Sequence, residues 1–96
     1  MTTIKMRNET LPNIYTILTE DKNIDKVQKV LDKWFNGYNI SKVSGRYQGK
    51  NEKALNIEII GQDEGAVKLA CNEIKKINEQ DQVWYKKQVR QQVFIV

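Results

Sequence analysis

The chain has 96 residues, room for one domain built around one core. An apolar fraction of 40% with 29% charged residues suits a folded domain and excludes a disordered tail. No apolar run approaches the roughly 18 residues of a membrane span, and the net charge of +4 favours an anionic partner without requiring one.

Residues 1–10 are polar and aperiodic and read as a flexible arm preceding a single domain over 11–96. Met1 to Arg7 hold no apolar core of a secretory leader. Cys71 stands alone, so no internal disulfide framework exists, and a reducing cytoplasm fits. Pro12 opens the run from Asn13 to Thr19, β-branched and aromatic and of strand length. Both of its alternating sets are fairly apolar, which predicts a strand inside the sheet, partly covered on both faces.

Ile24, Val27, Leu31, Trp34 and Phe35 recur at spacings of three and four, which predicts a helix over 24–36. Asn23 is the expected N-cap and Gly37 the expected left-handed stop. Residues 38–48 read as a second strand whose mixed pattern suggests a bulge, followed by a polar turn at Lys50-Asn51-Glu52. Ala54 to Ile60 alternates cleanly as a third strand, closed by Gly61-Gln62, with Asn56 and Glu58 on the face away from Leu55, Ile57 and Ile59. Asp63 then caps a helix over 64–78 with the stripe Val67, Ala70, Cys71, Ile74 and Ile77. Val83 to Tyr85 and Val93 to Val96 suggest strand, while Lys86 to Gln92 could be turn, strand or helix. This order predicts the α+β class: a ferredoxin-like βαββαβ two-layer sandwich with an extra C-terminal strand.

Catalytic equipment is sparse. There is no histidine, the commonest general base and metal ligand. Cys71 on an apolar stripe is a poor nucleophile, no carboxylates fall at metal-ligand spacing, and the glycines spell no phosphate loop. The expectation is a binding protein, not an enzyme, with no cofactor and no metal site. A chain this small leaves little room for an interior pocket and gains burial by association.

Charge is uneven: residues 38–54 carry a net +3, residues 81–96 a net +2 and residues 55–80 a net −2. The stretch from Gly45 to Glu52 combines Arg46 and Lys50 for phosphate, Tyr47 for stacking and Glu52 for hydroxyl or amine groups, between two glycines that permit close approach. These four are the candidate ligand-binding residues, and a glycine-loosened hairpin with a solvated tip is the plainer account of them. Gly45, Tyr47, Gly49 and Glu52 form a Gly-x-aromatic-x-Gly-x-x-Glu segment, and Asn78 to Val83 an Asn-x-Gln-x-x-Val ending. Over roughly residues 38–84 this pattern resembles small uncharacterised proteins of phages and plasmids. The resemblance implies a mobile-element origin and carries no activity with it.

Trp84, Lys86, Lys87 and Arg90 interleave an aromatic with cations, as nucleic-acid surfaces do; an edge strand blunted by lysines reads the same way. The leading expectation is capture of a small anionic ligand such as a cyclic nucleotide signal, countering host defence. Nucleic-acid binding through 42–53 and 86–90 is the alternative, as is a protein–protein inhibitor or structural module. Fifteen residues from Gln82 to Val96 would overhang a sheet of ordinary width as one strand, so homo-oligomerisation through this segment is expected.

Overall fold

The computed structural model describes residues 13–60 and 63–88, without the side chain of Tyr47. Its elements follow the chain as β1 (Ile14–Glu20), α1 (Ile24–Trp34), β2 (Asn39–Tyr47), β3 (Lys50–Ile60), α2 (Glu64–Asn78) and β4 (Trp84–Gln88). The strands form one sheet in the order β2-β3-β1-β4, with every neighbouring pair antiparallel. This is the ferredoxin-like α+β arrangement, with two helices on one face. The expected arm over 1–10, the Gly61-Gln62 closure, Arg90 and the strand over 93–96 lie outside the described residues.

The sandwich follows from apolar periodicity. On the strands, Tyr15, Ile17, Leu55, Ile57 and Ile59 are buried at alternate positions; Val27, Val30 and Leu31 of α1 and Val67, Ala70, Cys71 and Ile74 of α2 close over them. β1 is central in the sheet, as expected, but is covered on one face only. Tyr15, Ile17 and Thr19 are buried while Leu18 of the other set is exposed, because both helices lie on the same side.

Several local expectations are corrected. α1 ends at Trp34, two residues early, because Phe35 turns extended and buries its ring in the core, its N–H bonding Leu31 O. Gly37 is therefore no left-handed stop. Asn23 precedes α1 but is itself left-handed, with φ of 56°, and donates its amide to Asn78 Oδ1 at 3.1 Å instead of capping. Asp63 likewise makes no side-chain cap bond. Trp34 is half-buried at the α1–α2 joint, where its indole donates to Glu73 Oε1 at 3.1 Å. Lys33 meets the same carboxylate at 2.6 Å.

The β2–β3 pairing runs without a bulge from Asn39↔Glu58 to Tyr47↔Lys50. Lys50, Asn51 and Glu52 are strand, and the turn is Gln48-Gly49, with φ of 51° and 78°. Two successive positive φ values make a type I′ turn, whose twist matches the strands. β1 reaches only as far as Ala54, so the hairpin beyond it projects as a two-stranded ribbon of about 13 Å. Glutamine is poorly suited to its left-handed position. Gln48→Asn, which completes the Asn-Gly pair this turn favours, should stabilise the protein by about 0.5 kcal/mol in urea unfolding; a lowered midpoint would contradict the turn.

Candidate functional site

Strand alternation decides what the sequence candidates can do together. Arg46 and Asn51 pair across the ribbon, Arg46 Nη1 donating to Asn51 Oδ1 at 3.2 Å, on the side that faces the helices further along the sheet. Lys50 and Glu52 stand on the opposite, open side. All four are exposed. The ribbon thus does not gather Arg46, Lys50 and Glu52 into one pocket. Tyr47 ends β2, paired through its backbone with Lys50.

The second candidate set divides in the same way. Trp84 and Lys86 lie on the open face, opposite Leu18 and Thr16 of β1. Lys87 lies on the helix side and meets Glu64 Oε1 at 3.4 Å. Tyr85 donates its hydroxyl to Glu64 Oε2 at 3.0 Å. The Tyr85 hydroxyl, then the Lys87 ammonium, holds the Glu64 carboxyl below its ordinary 4.5; at Glu73 the Lys33 ammonium and then the Trp34 indole do the same. Depressed carboxyl values contribute stability that is present above pH 4.5 and lost as pH falls through the folded values. The Tm of the wild type should therefore drop on acidification below pH 4.5 more steeply than that of Glu64→Gln/Glu73→Gln. Parallel acid limbs would contradict these pairings.

What the fold does assemble is an open groove of about 500 Å³ at one end of the sheet. Leu18 to Glu20 from the end of β1, Glu52 to Ala54 from β3, Gln80 to Gln82 from the α2–β4 connection and Trp84 from the start of β4 line it. It unites one residue from each sequence-derived set, Glu52 and Trp84. Trp84 is 66% exposed and also borders a second groove of about 420 Å³, lined by Cys71, Asn72 and Lys75 of α2. Burial raises the Cys71 thiol from 9.0 to about 11, so it is protonated at neutral pH.

A neutral polar network fixes the connection behind the groove. Asn78, buried at 2% exposure, donates to Gln80 Oε1 at 2.7 Å and to Thr19 Oγ1 at 3.4 Å. The Thr19 hydroxyl bonds the same Gln80 oxygen at 2.5 Å. Gln80 Nε2 donates to Gln82 O at 2.9 Å, and the Trp84 indole donates to Gln82 Oε1 at 2.8 Å. The ends of β1 and α2 are thereby tied through successive bonds to the tryptophan. Sequence reasoning missed this network, and the only signal for it was the density of Asn and Gln over 78–82.

No protein-family model and no curated protein sequence matches the chain. Solved structures do. The chain is similar to a DUF3240 family protein from Shewanella baltica OS155, at 9% identity and a TM-score of 0.65, over 91% of this chain and 98% of that one. It is similar to a phage SAM lyase in complex with S-methyl-5′-thioadenosine, at 15% identity and a TM-score of 0.60, over 93% and 88%. It is also similar to CPII, a nitrogen regulatory PII-like protein from Thiomonas intermedia K12 bound to ADP, AMP and bicarbonate, at 16% identity and a TM-score of 0.58, over 86% and 96%. At these identities the likeness establishes the fold.

Proposed function

We propose that this protein binds a small ligand of the nucleotide and nucleoside class and holds it without transforming it. The observation that carries this reading is the Trp84 groove: a concavity within the roughly 300–1,000 Å³ range of small-molecule sites, bordered by an exposed indole. Stacking a base on such a ring contributes about 1–3 kcal/mol. Adenine ligands in the PII-like protein and the phage lyase support the class. Capture without turnover is supported by the lack of histidine and by a Cys71 thiol held protonated and buried. In the mobile-element setting that residues 38–84 suggest, such a protein would lower the level of a host signal of the nucleotide and nucleoside class in the cytoplasm. No helix among the described residues is long and apolar enough to cross a membrane. A nucleic-acid surface draws less support, because Lys86 and Lys87 face opposite ways and Glu58 shares a cross-strand row with Lys86.

Homo-oligomerisation through residues 82–96 belongs to the same proposal. β4 is the outermost strand on its side of the sheet among the described residues, and that edge can accept a strand from a second copy. Native mass spectrometry of protein purified from its host tests both parts. The expected result is a subunit number above one and a retained small molecule of nucleoside-containing mass, lost in Trp84→Ala. A ligand-free monomer, or retention unaltered in Trp84→Ala, would overturn the proposal. Affinity should also change little between about 50 and 200 mM salt, where a nucleic-acid binder with several phosphate contacts loses orders of magnitude.

A further inference from the structure

The charge around the Trp84 groove is opposite to that of the chain, and it bears on which member of the ligand class fits. The chain carries +4, yet the groove is lined by Glu20, Glu52 and Asp81 against Lys53. Glu20 is shared with Lys22 at 3.1 Å, whereas neither Glu52 nor Asp81 enters an ion pair among the described residues. The cations expected to hold phosphate, Arg46 and Lys50, do not line it, nor do Lys86 and Lys87. A phosphate placed here would meet unneutralised carboxylates at short range.

We infer that the groove takes a nucleoside with no phosphate lodged in it, neutral or carrying a cation such as a sulfonium; this rests on the binding reading above. Each lining group then has a chemical use. The exposed Trp84 ring and the adjacent Leu18 side chain offer apolar surface to the base. The oxygen of the Gln82 amide is occupied by the Trp84 indole, which leaves its NH₂ to donate to ring nitrogens. Gln80 spends its oxygen on Thr19 and Asn78 and one N–H on Gln82 O, and so retains one further donor. Carboxylates accept hydrogen bonds from ribose hydroxyls, which are donors that a phosphate lacks. The same carboxylates would attract a cationic substituent on the ribose.

Isothermal titration of the intact chain with adenosine, AMP, ADP and an adenosine bearing a 5′-sulfonium tests this. Adenosine or the sulfonium should bind about tenfold or more tightly than ADP, the size of effect that charge repulsion at short range produces. In Glu52→Gln/Asp81→Asn, both exposed positions, the preference should narrow to about threefold or less at an unchanged Tm. Tightest binding of ADP by the wild type would overturn the inference and leave the binding reading standing. A preference unaltered in the double variant would overturn the role given to the carboxylates, and so the inference. Absence of binding by all four compounds would overturn the inference together with the binding reading.

Discussion

Leu31→Ala is expected to destabilise the protein by about 2–5 kcal/mol, the range found for truncating a fully buried leucine. Leu31 has no exposed surface, and it belongs to the cluster in which α1 and α2 cover Ile17, Ile57 and Ile59. Truncation removes apolar burial and leaves a cavity that a two-layer domain has few ways to refill. A chain of 96 residues has a total stability of about 5–14 kcal/mol, so the loss is a large share of the whole. Urea unfolding should show a much lower midpoint at an unchanged slope. Leu69→Ala, on the exposed side of α2, supplies the comparison and should shift stability by no more than about 0.5 kcal/mol. Equal effects of the two substitutions would contradict the assignment of helix faces.

Asn78→Leu is expected to cost about 2–3 kcal/mol, although it places an apolar side chain of similar size in an interior position. Asn78 is the centre of the network at the end of the sheet: it donates to Gln80 and Thr19 and accepts from Asn23. Its replacement strips a bonding partner from buried Thr19 and half-buried Gln80, and each such loss costs about 1–3 kcal/mol. Every member of the network is uncharged, so the loss should be the same at pH 5 as at pH 8. Because the network continues through Gln80 and Gln82 to Trp84, the variant should also bind ligand more weakly than its stability alone requires. A neutral or stabilising Asn78→Leu would show that the network is dispensable.

Periodicity made much of this architecture legible. The helix over Glu64–Asn78 and the buried stripe of α2 follow directly from spacings of three and four, and the central strand pair follows from alternation at Leu55, Ile57 and Ile59. Chain direction was harder to read where a residue broke its usual preference. The hairpin turn was displaced toward Lys50-Asn51-Glu52 because Gln48 is not a residue that favours positive φ, and Gly37, which does favour it, is not used that way. The projecting ribbon could not be read from one strand, since it depends on where β1 stops.

The groove was only half legible. Consecutive residues on a strand face opposite ways, so short stretches such as Gly45 to Glu52 or Trp84 to Arg90 cannot supply one pocket from all their members. Glu52 and Trp84 were each singled out, but as parts of different segments. What joins them is the register between β1, β3 and β4 and the bonded connection after α2. None of these is a local property of the sequence.

The central claim, that the Trp84 groove is the ligand site, is tested most directly by fluorescence titration of Trp34→Phe, in which Trp84 is the sole remaining tryptophan. With adenosine or its 5′-sulfonium derivative, Trp84 emission should change saturably, and calorimetry on the same sample should yield the same Kd. In Trp84→Ala the affinity should fall by about tenfold or more, the loss expected when one base-stacking ring is removed. Calorimetric binding with no change in Trp84 emission, and an affinity undiminished in Trp84→Ala, would place the ligand elsewhere and contradict the account.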